Sequence, residues 1–235
     1  MEQFKFALGP YEIFASVIGG SPLVLAIFLI CNPSNNLQNV FLMIKNNLSI
    51  PLVLLAAFLS YILGGSIQGV TWRYFLFFCK FFHRDYNYFG NMISERNALL
   101  TQGVEIQASS ALEFEDKLVL LLREKVGIPK NLDWLNSRLT AYLKERSSQA
   151  VITAESYLAN HIMYRNMSFG FLTLSIVLLV NLPRTQLFIF EQLVLILVSL
   201  LISYMTFFRS LSFKKWHNRE LLLGFYFSAS NRGQG

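Results

Sequence analysis

Charge is what this chain has least of: Asp, Glu, Lys and Arg make up 14% of 235 residues, against 54% apolar and 15% aromatic residues. An ordinary soluble domain carries about 25% charge, so this composition points to a chain solvated partly by lipid. Thiols are almost as scarce. Cys31 and Cys79 are the only two, and their expected places at opposite membrane faces prevent them from pairing within one chain. Neither argues for a redox role.

The signatures of common chemistry are missing too. There is no GxxxxGK[ST] loop, HExxH pair, GxSxG elbow or CxxC, which removes the usual nucleotide, zinc and acyl-transfer readings. His83-Arg84-Asp85 copies three letters of a kinase catalytic loop, but no glycine-rich loop precedes it and no Asp-Phe-Gly follows. No metal-ligand spacing joins any two of His83, His161 and His217. The acidic group Glu113, Glu115, Asp116 and Glu124 alternates with Leu and Lys, as on a solvated helix face. A membrane-embedded enzyme would have only Asp85, Asn87, Asn91 and His161 to work with. No catalytic residue, cofactor or metal is therefore expected.

Long apolar runs are what the chain does have. They cover residues 13–31, 49–67, 167–182 and 187–208, each near the 20 residues or so that cross a hydrocarbon core. Almost no ionisable residue lies inside them, and Glu191 stands only at the edge of the fourth. Ion-coupled transporters and proton pumps keep such groups at mid-membrane depth, so that class is disfavoured. Lys5 and the apolar stretch 22–30 imitate a leader, but Ile30 sits where a small residue is needed. The first run is expected to remain an uncleaved helix.

Twelve of the twenty Lys and Arg residues lie between Arg73 and Arg165, and five more follow the last run. The two short connections hold one each, Lys45 and Arg184. The positive-inside rule then places both termini and the middle block in the cytoplasm, with the chain in the cell (inner) membrane. Ten carboxylates offset the twelve cations of the block, so the basic excess does not indicate nucleic acid.

The reading is an all-α integral membrane protein, with four transmembrane helices in two pairs and a helical cytoplasmic insert between them. Its parts are a cytoplasmic lead (1–12), helices 1 and 2 (13–72), a belt with the helical domain (73–165), helices 3 and 4 (166–208) and a basic tail (209–235). Within the insert, residues 111–126 and 131–145 are expected to form a helical hairpin, with Gly127 and Pro129 as a stop. A third helix, 149–165, is expected to continue into the third span.

Three features of the spans stand out. Gly19, Gly20 and Pro22 interrupt the first and invite a kink. In the second, Ser60, Gly64, Gly65 and Gly69 form overlapping small-xxx-small spacings, the pattern by which helices approach closely in lipid. Gln68 beside them is a candidate for a pore lining or a polar contact. Residues 72–82 read as an interfacial belt. Trp72, Arg73 and Lys80, and later Arg209, Lys214, Lys215 and Trp216, are expected at the headgroups.

Function is expected to be that of an oligomeric membrane channel or membrane-perturbing effector, regulated through the cytoplasmic helices. The alternative is a non-catalytic membrane anchor, scaffold or assembly subunit of a larger complex. The partners are the lipid bilayer, further copies of the chain and a cytoplasmic protein, with no nucleic acid.

Overall fold

The structure is a computed structural model that describes residues 10–31, 42, 45–46, 49–101, 114–129, 133–184 and 189–230. Most of the expected N-terminal lead and outer loop, and the last five residues, lie outside the described residues. The helices are α1 (Pro10–Cys31), α2 (Ile50–Ser66), α3 (Gln68–Phe81), α4 (Tyr88–Thr101), α5 (Phe114–Lys125), α6 (Asp133–Lys144), α7 (Ser148–Asn181) and α8 (Ile189–Ser230). A 3-10 turn, Leu182–Arg184, follows α7, and no strand occurs among the described residues.

Among the described residues three helices, α1, α7 and α8, are long and apolar enough to cross a membrane. The number rises to four when α2 and α3, bent by 59° at a break, are taken together as one span. This is compatible with a multi-pass membrane protein. The chain separates into two compact units, the first of Met1–Arg84 with Ala159–Ser212 and the second of Asp85–Leu158 with Phe213–Gly235.

In the first unit, α1 packs on α2 through small residues. A Cβ added to Gly20 would lie 2.1 Å from the Ser60 carbonyl oxygen, and one added to Gly64 would lie 2.1 Å from that of Ser16. Ser16/Gly20 and Ser60/Gly64 are thus two four-residue spacings whose backbones touch. Another side of α1 meets α7: Gly19 faces Asn166 and Met163, and Pro22 faces Gly170. Farther along, Ala26 and Leu29 close an apolar layer with Leu174, Val177, Leu178 and Ile196.

α1 runs as unbroken helix through Gly19, Gly20 and Pro22. A proline at 22 leaves the Ile18 carbonyl without its usual donor; the Ser21 hydroxyl donates to that oxygen at 2.9 Å instead. The sharp bend lies in the next hairpin arm, where Gly64, Gly65 and Ser66 give poor helix propensity just before Ile67. α3 then ends at Phe82 with a 2.8 Å bond from Arg84 N to Cys79 O and His83 at φ 51, a left-handed helix cap.

The second unit is built from α4, α5, α6, the start of α7 and the end of α8. Leu118, Val119 and Leu122 of α5 share one core with Leu135, Leu139 and Leu143 of α6 and with Leu221 and Phe225 of α8. Gly127 adopts φ +70 and stops α5. Residues 213–230, read from sequence as a basic tail, are helix, and their apolar face belongs to this core.

Candidate functional site

α7 presents His161, Arg165 and Ser168 on one face, with Asn166 beside them, because spacings of four and seven recur on the same side of a helix. All four side chains are buried. α8 presents Ser203 and Ser210, again seven apart, and both are buried. The two helices run antiparallel through this polar seam. Ser168 Oγ donates to Ser203 O at 2.8 Å while Ser203 Oγ donates to Ser168 O at 2.7 Å. One heptad away, Ser210 Oγ donates to His161 O at 3.1 Å, and His161 Nδ1 lies 2.8 Å from Ser210 Oγ. Tyr74 of α3 adds its hydroxyl, 2.8 Å from Ser168 Oγ.

Next to the seam, α7 grips both sides of the break at Ile67. Asn166 Nδ2 donates to Gly64 O on α2 at 3.0 Å, and Asn166 Oδ1 accepts from Thr71 Oγ1 on α3 at 2.8 Å. Arg165 Nε donates to Thr71 Oγ1 at 3.2 Å, and Nη2 reaches Gln68 O at 3.5 Å. Breaking a helix frees carbonyls in its last turn, and in lipid each must find a donor. Asn166 supplies one. Arg165 is only 6% exposed, yet none of its bonds goes to a carboxylate among the described residues. A hydroxyl, a carbonyl and the Trp72 ring, 5.5 Å from Cζ, surround it instead.

Of the small residues singled out on the second span, Ser60 and Gly64 lie against α1. Gly65 and Gly69 are exposed, and a Cβ added to either would meet nothing within 4 Å. The Gln68 side chain is exposed and only its carbonyl joins the cluster. Trp72 is half-buried and packs edge-on to His161. Arg73, Lys80, Arg209 and Lys215 are exposed and Lys214 is half-buried. Trp216 packs on Tyr157 and Phe213 in the second unit.

The Ser210–His161 distance resembles a nucleophile with its base, but both side chains are buried, at 0% and 1% exposure. The hydroxyl is engaged in joining two helices. Asp85 accepts bonds from Asn87 N at 2.7 Å and Asn91 Nδ2 at 2.9 Å, which ties the chain entering α4. Arg96 pairs with Glu115 and Asp116 at 3.4 Å each. Among the described residues no group of three His, Cys, Asp or Glu is placed to hold a metal.

His217 lies beyond the apolar stretch of α8, and its Nδ1 is 2.9 Å from Ala154 O. Burial pushes its pKa down to about 4; the Ala154 bond opposes that shift and nearby Lys214 adds to it. The second unit also has a cleft of about 460 Å³ lined by Lys117, Leu120, Leu121, Glu124, Lys125 and Tyr226, among others.

Sequence reasoning counted Arg165 among the basic residues of the central block and passed over Asn166 and the serine seam. The signal was present in the matching intervals: 161 to 168 on one helix and 203 to 210 on the other. No protein-family model, curated protein or solved structure matches the chain.

Proposed function

We propose that the chain is a multi-pass inner-membrane protein that self-assembles into a channel or membrane-perturbing effector, with the second unit as its cytoplasmic regulatory part. The observation that carries this reading is the break at Ile67, where Gly64 and Thr71 on either side are bonded to the same Asn166 side chain. Breaks in apolar helices occur where backbone lines a cavity or moves between arrangements. The open faces of Gly65 and Gly69 support contact with a second copy. The basic residues of the central block and the tail support a cytoplasmic location for both.

The test is ion flux from liposomes holding the purified full chain. Flux is expected from the wild type, to be lost in Gly65→Leu/Gly69→Leu and altered in Asn166→Leu. A folded, inserted protein that passes no cation or anion at any voltage overturns the channel and leaves the scaffold reading. Orientation is tested separately: an impermeant maleimide added outside intact cells should label exposed Cys31 but not buried Cys79. Labelling of Cys31 only after the inner face is opened would reverse the topology.

A further inference from the structure

α3 does not run alongside α8; it crosses it. Phe75 and Phe78 pack on Phe207 at 5.6 and 5.9 Å, Phe82 packs on Tyr204, Phe207 and Phe208, and Arg84 stacks over Phe208 at 5.7 Å. Residues 75 to 82 span about 10 Å of helix at about 1.5 Å per residue, yet all these ring contacts meet the single turn of α8 from Tyr204 to Phe208. That turn closes the apolar stretch 187–208, and Arg209 follows it. If α8 spans the bilayer, α3 lies in the plane of the membrane at the level where hydrocarbon gives way to headgroups.

The side of α3 turned away from these contacts has a composition to match. Thr71, Phe75 and Cys79 form its buried face, whereas Arg73, Phe77, Lys80 and Phe81 are exposed, the two phenylalanines at 63% and 65%. Arg84 is exposed just beyond the helix. Arg73, Lys80 and Arg84 have no ion pair with any described residue, and the sequence contains no Asp or Glu between Glu12 and Asp85. Large apolar side chains between cations that have no ion pair among the described residues suit acyl chains and phosphates at one depth.

We infer that α3 is an in-plane helix that binds anionic phospholipid, with Arg73, Lys80 and Arg84 on the headgroup phosphates and Phe77 and Phe81 among the upper acyl chains. The inference rests on the membrane reading above. It goes further in naming a lipid class and the stripe that selects it, and it excludes Trp72, whose ring is turned toward Arg165 and His161.

The test titrates the detergent-solubilised full chain with phosphatidylglycerol or phosphatidylcholine of identical acyl chains and counts bound lipid by native mass spectrometry. Wild type should retain phosphatidylglycerol in preference to phosphatidylcholine. Arg73→Gln/Lys80→Gln/Arg84→Gln should lose roughly a hundredfold in phosphatidylglycerol affinity, about fivefold per cation, with phosphatidylcholine unchanged. Neutralising exposed Lys117, Arg123 and Lys144 instead should leave lipid binding intact. Equal lipid binding by the α3 variant and wild type, an equal loss in the control variant, or displacement of the lipid by millimolar inorganic phosphate would each overturn the inference. Extraction of wild type from vesicles by alkaline carbonate would instead defeat the membrane reading itself.

Discussion

Gly64→Ala separates the contact between α1 and α2 from ordinary helix propensity. The new methyl carbon would sit 2.1 Å from Ser16 O, 2.9 Å from its carbonyl carbon and 3.1 Å from its Cα. These are backbone atoms of a helix, so no side chain can swing aside. Ordinary carbon contacts need more than about 3 Å, so α1 and α2 must part by about 1 Å along this face. Overpacking of this kind costs about 1–3 kcal/mol, offset by up to about 1 kcal/mol of helix propensity gained on replacing glycine.

Gly64→Ala should therefore destabilise the first unit by about 1–2 kcal/mol, and Gly20→Ala, 2.1 Å from Ser60 O, should behave alike. The double variant should cost less than the sum, because helices already parted by one methyl accommodate the other. Gly65→Ala, with nothing near the new methyl, should be neutral or slightly stabilising. Reversible unfolding in mixed micelles, followed by circular dichroism, reads all four. Wild-type stability in Gly64→Ala, or equal harm from Gly65→Ala, refutes the reasoning.

Asn166→Leu removes both bonds across the break and leaves Gly64 O without its side-chain donor. It should cost about 1–3 kcal/mol in the same assay, and no loss would show that the break is held by other contacts. Ser21→Ala should cost about 1 kcal/mol alone but little in a Pro22→Ala background, where residue 22 regains its amide donor; equal costs in both would end the account of the Ile18 carbonyl. His217 offers a pH test. Its folded pKa of about 4 lies below the ordinary 6.5, so between these pH values the unfolded chain binds the proton first. Its stability contribution is full above about pH 6.5 and declines as pH falls toward about 4. His217→Asn should flatten that part of the stability profile measured by urea unfolding, and an unchanged slope would assign it to other groups.

Features that depend on local composition were readable in the chain. Three of the four apolar runs marked helices long and apolar enough to cross a membrane, Gly127 marked the end of α5 with the φ +70 that glycine tolerates, and leucines three and four apart marked the α5 and α6 faces that share a core. Residues 213–230 were harder, because Lys214, Lys215 and Arg219 give that segment a basic character. Leu221, Leu222 and Phe225 nonetheless bury one face in the second unit. Ser60/Gly64 and Gly65/Gly69 have the same spacing, and nothing local says that one pair meets a neighbour and the other faces outward. Arg165 closes the basic block in the sequence, and nothing local says that its side chain is buried.

By itself, the sequence determined an all-helical chain with long apolar segments and its unequal distribution of cations. Hydrophobic length and charge are properties that each segment carries alone. Only the tertiary structure decided that the second apolar helix bends by 59° at Ile67, that α7 bonds both sides of that bend, and that Arg165 is buried among a hydroxyl, a carbonyl and an indole. Those outcomes depend on which residues distant in sequence come within bonding distance, and the carbonyl freed at Gly64 finds its side-chain donor 102 positions away, on Asn166.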